Sequence, residues 1–467
     1  MTEPALHPLA GWVAALDGAA GDAAVDSALS SSALDWAGAL IAGTAHDLHP
    51  RYIAAFAALT MPHRGAGCAV AGDARGWAPV EAAAANAAIS HFWEFDDSHR
   101  AAMMHPGITV WPAVLALAQA RSGVTVADMR AAVAAGYEAG LRLGAHLGKA
   151  HAATNHVTAT AGTFGAAAAT ARLLRLDAAA TLSALGHAGT QAAGLWQFLE
   201  DGATEAKPVH PAIAVRNGVT AALLAEAGIP GAPRVLEGGR GMLAAWKLIP
   251  EPSASLVPEG APMILTATIK GWPVCGQMHS LLDAAQDLMR KATLRVEEIA
   301  AVTVEAPQAL LDVAGLRRPT NAGDAKFSTN FCVALLLSGG DLSFTGFDGS
   351  AVRDEAVQAL GDRIEVLAPA EFSARYPKER PARITVTTLD GRVLSEERSF
   401  RRGDPEAPWE WEPLVERFHG IAGLAMRDAS ARQAVVDWCR AFGAGDPALD
   451  RSAAPFFRGK APLERAA

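Results

Sequence analysis

From His151 to Arg216 the chain is built largely of alanine and glycine, and His156, Lys207 and His210 stand out against that small, apolar background. Side chains this small let helices approach closely. An imidazole or an ammonium at the mouth of such helices faces a narrow, poorly hydrated space in which proton affinities shift. The same composition explains why 51% of the residues are hydrophobic in a chain with no uninterrupted apolar run near the roughly 20 residues that span a bilayer. The expectation is a closely packed helical body suited to proton-transfer chemistry.

At 467 residues the chain exceeds what one core usually organises, and two domains are expected. Apolar residues recur at helical spacing from Ala24 to Ala42, from Pro79 to about Phe95, from Thr125 to Gly148 and from Thr158 to Leu174. Further helices are expected from Asp177, as cap, to Thr190, and from the Lys207-Pro208 break to Ala227. Thr125 and Asp128 form a capping-box pattern, while Gly136, Gly140 and Gly144 share one helix face and predict a close crossing. Residues 1–23 read as an irregular lead-in, and Pro62 and Gly65 as a turn. By about Met263 the pattern changes to short β-rich pieces, MILTATIK, IAAVTVEA, RIEVLA and RITVTTLDGRVLSEE, the last with a hairpin signal at Asp390-Gly391. The predicted fold is mainly α, with a large all-helical domain from 1–262 and 404–467 and a smaller α+β sandwich, a lid, at 263–403.

The net charge of −9 is interspersed and no Lys/Arg cluster forms a phosphate-binding stripe, which argues against nucleic acid as a partner. The first thirty residues carry no basic leader segment, so a soluble cytoplasmic protein is expected, with no membrane partner. Cys68, Cys275, Cys332 and Cys439 are scattered and form no CxxC pair, and the histidines show no HExxH-like spacing. Neither a metal nor another cofactor is therefore expected, and side chains must carry the chemistry. His91, with seven other histidines, reads as structural or surface.

A second loaded stretch, EFDDSHRAAMMHPG, crowds Glu94, Asp96, Asp97, His99 and His105 at a helix end. Asp96 and Asp97 read as caps of the chain break. His156 precedes a helix, whose positive end would favour a neutral imidazole able to act as a base, with a capping or core histidine as the alternative. Lys207 taken alone is a solvated lysine, and His279, at the start of a predicted helix, is a cap.

The runs HVTATAGTFGAAAATARLLRLD, AGTQAAGLWQFLEDGATEAKPVH, LEGGRGM and WPVCGQMHSLLDA, in this order, resemble the MmgE/PrpD family of dehydratases, decarboxylases and epimerases of small polycarboxylates, from about residue 30 to about residue 440. The resemblance implies catalytic roles for His105, just before Pro106, and for His156, Lys207 and His279, and substrate binding by Glu94, Ser98, Lys207 and His210. His279 would face His105 and His156 across the cleft between the domains. It implies a lyase that needs no cofactor, removes a proton next to a carboxylate of a di- or tricarboxylate, and works as a homodimer. An epimerase of a dicarboxylate such as iminodisuccinate, or a silent polycarboxylate-binding homologue, are the alternatives. Three features differ from family patterns: Glu94 stands for aspartate, Phe331 for tyrosine, and MMHPGITVW for a WGHPSDNLG-like loop.

Overall fold

The computed structural model describes residues 3–59, 67–251, 253–292, 294–342 and 349–457. The turn expected at Pro62 and Gly65 lies outside them. The chain divides into two compact units, Met1–Ala267 with Glu410–Ala467, and Thr268–Trp409.

The first unit is helical. Its centre is the long helix Val126–Ala152 packed on Val157–Leu173, which in turn packs on Val209–Glu226. Alanine makes this packing close, and glycine makes it closer. A Cβ on Gly136 would come within 2.7 Å of Val110, and one on Gly218 within 2.6 Å of the Thr163 carbonyl oxygen. Thr125 and Asp128 form a complete capping box, so the N-terminus of the central helix is fixed by reciprocal side-chain bonds. Gly148, at φ 69°, kinks the same helix near its end. Helices Ala23–Gly43, Pro79–Ile89 and Gly107–Ala120 complete the central layer, and Trp411–Ala422 and Ala429–Gly443 bring the end of the chain back onto Ala23–Gly43. A two-stranded hairpin, β1 Cys68–Val70 and β2 Asp73–Trp77, lies beside it.

Two sequence expectations fail here. The lead-in contains a helix, His7–Ala15, started by a proline in its first turn and buried through Leu9, Ala10 and Val13. MILTATIK is not a strand: Met263–Thr266 is a 3₁₀ turn whose first N–H, that of Met263, donates to Glu138 Oε2 at 2.8 Å. Its β-branched residues suited a strand, but among the described residues it joins neither sheet.

The second unit holds a four-stranded mixed sheet of β3 Ile299–Glu305, β4 Ile364–Leu367, β5 Ala382–Thr388 and β6 Val393–Arg398, in the order β4-β3-β5-β6. β3 and β4 are parallel, and β5 and β6 form the antiparallel hairpin, with Gly391 at φ 85° in its turn. Alternate residues of β5, from Ala382 to Thr388, are buried under the helix His279–Lys291 and its neighbours. Phe331 lies wholly inside this core, in the helix Thr329–Leu337. Among the described residues no helix is long and apolar enough to cross a membrane.

Candidate active site

The helix Pro79–Ile89 ends sooner than its sequence suggested, and the freed segment from His91 to Pro106 wraps the mouth of the helical body. Its course is held from beneath. Asp97 accepts a hydrogen bond from Gly107 N–H at 2.8 Å and one from Tyr137 Oη at 2.6 Å, which ties the loop to two helices. Arg417 stacks over the Phe95 ring at 3.8 Å, donates to the Phe95 carbonyl at 3.1 Å and pairs with buried Asp35 at 2.8 Å. Burial raises Asp97, and the neighbouring Asp35 carboxylate adds to the shift. Asp97 thus caps the next helix, as its sequence suggested.

Asp96 does something else. One carboxylate oxygen lies 2.9 Å from His91 Nδ1 and the other 2.9 Å from His105 Nδ1, which also lies 2.8 Å from the Asp97 carbonyl oxygen. All these partners are acceptors, so both rings carry a proton on Nδ1 and turn Nε2 away from Asp96. The His105 N–H is fixed to Thr158 Oγ1 at 3.1 Å, in the first turn of Val157–Leu173.

His156 is the residue just before that turn, yet it makes no side-chain cap. Its Nδ1 instead meets His210 Nδ1 at 3.0 Å, and the Trp196 ring lies on it with centroids 4.5 Å apart. Burial pushes His156 well below the usual histidine value, with the Lys207 ammonium the next cause, and burial lowers His210 to about 4. Both are therefore neutral imidazoles at neutral pH. Two facing Nδ1 atoms share a single proton, so whichever ring donates leaves the other with its proton on Nε2. The pair can present His156 Nε2 either as a base or as an acid.

Lys207 follows the 3₁₀ turn Thr204–Ala206 and pairs with Glu94, whose backbone is in the left-handed region at φ 58°. A non-glycine residue seldom adopts that conformation without a reason, and here it turns the carboxylate toward the ammonium. His91 Nε2 is 3.7 Å from the other oxygen of Glu94.

Of the residues singled out by sequence, Glu94, His105, His156, Lys207 and His210 come together in the first unit, and Ser98 lies half-buried in the same loop. His279 belongs to the second unit, where it is fully buried, bonds the Val274 carbonyl at 3.1 Å and is held well below its usual value by burial, then by Arg401 and Lys270. Sequence reasoning missed His91, Asp96 as its holder, and Trp196. His91 is wholly buried, 5.0 Å from the His105 ring and 6.1 Å from the His156 ring between centroids, so of its two readings, structural or surface, the surface one is excluded. Residues that meet through a loop have no fixed sequence spacing. The only local signal was the number of titratable groups between positions 91 and 105. None of the four cysteines is in a disulfide, and all but Cys275 are buried.

Residues 7–253 match the MmgE/PrpD N-terminal domain, and residues 272–441 match the MmgE/PrpD C-terminal domain. The chain belongs to the MmgE/PrpD family, and it is an enzyme of the lyase class. It is 28% identical over 386 residues to the cis-aconitate decarboxylase-like protein oryM of Aspergillus oryzae, covering 74% of this chain and 78% of that protein. Identity to cis-aconitate decarboxylase of Aspergillus terreus is 27% over 395 residues, covering 78% of this chain and 79% of that protein. For human cis-aconitate decarboxylase it is 26% over 374 residues, covering 74% and 73%.

Proposed function

We propose that the chain is a cofactor-independent lyase of a small di- or tricarboxylate, which moves one proton at a carbon beside a carboxylate during dehydration or decarboxylation. The observation that carries this reading is the buried imidazole of His156, 3.0 Å from His210 Nδ1, in the first unit with the ammonium of Lys207 on its Glu94 partner. Lys207 and His210 hold a substrate carboxylate, and Glu94 and Ser98 border it. Dehydration removes a proton from carbon as hydroxide leaves. Decarboxylation releases carbon dioxide and returns a proton to carbon. The first needs an unprotonated imidazole to take the proton and the second a protonated group to give one, and both need a nearby cation to offset charge on the carboxylate. The relatives named as cis-aconitate decarboxylases favour an unsaturated tricarboxylate and carbon dioxide loss.

Epimerisation is the second reading. It is favoured by a particular arrangement, the imidazoles of His105 and His156 standing edge to face with centroids 6.2 Å apart, as two acid/base groups would around one carbon. His279 is the second unit's candidate acid/base group. A cytoplasmic homodimer fits the reading, since Leu195, Leu199 and Ile213 leave apolar surface exposed on the first unit.

The test is incubation with a panel of di- and tricarboxylates in heavy water, followed by NMR. The expected result is either an unsaturated product formed with release of water, or release of carbon dioxide with deuterium delivered to carbon. Deuterium exchange with inversion and no leaving group would replace the lyase reading by the epimerase, and a folded protein that neither converts nor labels any substrate would overturn both.

A further inference from the structure

Beyond holding a substrate, the loop and helix mouth bring three imidazoles to one point. One ring nitrogen from each of His91, His105 and His156 lies within 4.8 Å of the other two. His91 Nε2 and His156 Nε2 are buried and, among the described residues, have no hydrogen-bond partner. A buried nitrogen lone pair with no donor is costly unless something occupies it.

The surroundings have the form of a metal site's outer shell. Asp96 receives the Nδ1–H of His91 and lies 2.9 Å from His105 Nδ1, whose proton goes to the Asp97 carbonyl, and His156 Nδ1 is engaged by His210. A carboxylate behind two histidines fixes their tautomers and raises the donor strength of their remaining nitrogens. Three imidazole nitrogens with an open fourth position are a donor set for zinc and similar borderline ions, which displace any proton from the ring nitrogens they bind. At a metal–nitrogen distance of about 2.1 Å, tetrahedral ligands stand about 3.4 Å apart, so the rings need to close by roughly an ångström. The Asp96 carboxylate, and Glu94 with an oxygen 3.7 Å from His91 Nε2, supply negative charge against that of Lys207.

We infer that His91, His105 and His156 bind one divalent ion of the zinc class, and that the ion inhibits the enzyme. The inhibition follows because an ion held by these nitrogens takes the lone pair with which His156 accepts a proton, so metal binding and proton transfer exclude one another. The inhibitory part rests on the function proposed above, whereas the binding part does not.

The experiment titrates zinc chloride into chelator-treated, substrate-free protein by calorimetry and replaces zinc by cobalt for visible spectroscopy. One zinc per chain at micromolar or tighter affinity is expected, with intense tetrahedral cobalt bands in the parent protein. H91Q and H105Q should each weaken zinc binding about 10–100-fold. Zinc should abolish turnover competitively with substrate, and chelator should restore it. Should H91Q fail to fold, the cobalt spectrum of the parent decides alone. Absence of both saturable zinc binding and tetrahedral bands overturns the site, as does binding that H91Q leaves unchanged in a folded protein. Turnover unaffected by bound zinc overturns the inhibition. Zinc binding in a protein that turns over no carboxylate leaves the site standing and defeats the function alone.

Discussion

Asp96 and His105 are joined by a 2.9 Å contact between a carboxylate oxygen and Nδ1, the same carboxylate holding His91 by its other oxygen. With the Asp97 carbonyl taking the Nδ1–H, the nearby Asp96 charge supports positive charge on the His105 ring when a proton arrives. Asp96→Asn keeps the shape and offers an amide in place of one acceptor. Its kcat should fall by about 10²–10⁴-fold while KM changes little, with circular dichroism unchanged. Full activity in this variant would reduce Asp96 to a structural tether.

Lys207 and His156 should separate in their kinetics. An ammonium that holds a carboxylate and offsets developing charge acts on both binding and turnover, so Lys207→Ala should raise KM and lower kcat together. His156→Ala should mainly lower kcat, by about 10²–10⁴-fold. Since burial holds His156 well below the ordinary histidine value, it stays unprotonated as pH falls. The acid limb of the kcat/KM profile for the parent should therefore lie below pH 6.5, and a limb at the ordinary value would assign it to another group.

The proposed chemistry assigns no step to a metal, and the residues that would bind one are those that move the proton. Dialysis against a strong chelator should leave kcat unchanged or raise it. Stoichiometric metal lost together with activity, and restored with it, would show that the ion is catalytic instead.

Helices were legible in the sequence wherever periodicity and chemistry agreed. Thr125 and Asp128, Asp177 before Ala178, and Asp390-Gly391 each encode a local hydrogen bond or turn, and each sits in the structure as expected. His7–Ala15 was hidden because its apolar residues show little one-sided pattern and are supported by neighbours distant in sequence. Within the site, the residues matched by family motifs were readable, whereas His91 was not. Its role depends on the path from Ser90 to Asp96, including the left-handed Glu94, and nothing in local composition specifies that path. His156 was legible as a helix-start residue, but the cap that position suggests is not made, because a neighbouring imidazole takes its Nδ1.

Acid stability should carry a histidine signature away from the site. His151 bonds Thr160 Oγ1 at 2.9 Å under the Trp246 ring, and burial lowers it to about 4. The unfolded chain, near 6.5, takes up a proton before the folded one does. His151 therefore contributes stability that is present above about pH 6.5 and lost as pH falls through 4. His151→Asn should melt below the parent at pH 7.5, and the gap should narrow steadily toward pH 4.5. A gap independent of pH would mean that His151 titrates as it does in the unfolded chain.

Close helix packing can be tested by two alanine substitutions of opposite expected outcome. A Cβ on Gly218 would meet the Thr163 carbonyl oxygen and the Ala166 Cβ at 2.6 Å and the Ala167 nitrogen at 2.8 Å, mostly backbone of a neighbouring helix that can yield only by moving apart. Gly218→Ala should cost about 1–3 kcal/mol in denaturant unfolding. A Cβ on Gly140 would first meet the mobile end of Met104 at 3.3 Å and then Gly165 Cα at 3.5 Å. There the entropy gained by replacing a helical glycine, about 0.5–1 kcal/mol, opposes a small repacking cost, so Gly140→Ala should be near neutral. Equal losses at the two positions would show that the glycines are needed for backbone conformation, and that the close approach of the Val157–Leu173 and Val209–Glu226 helices does not set the stability of the body.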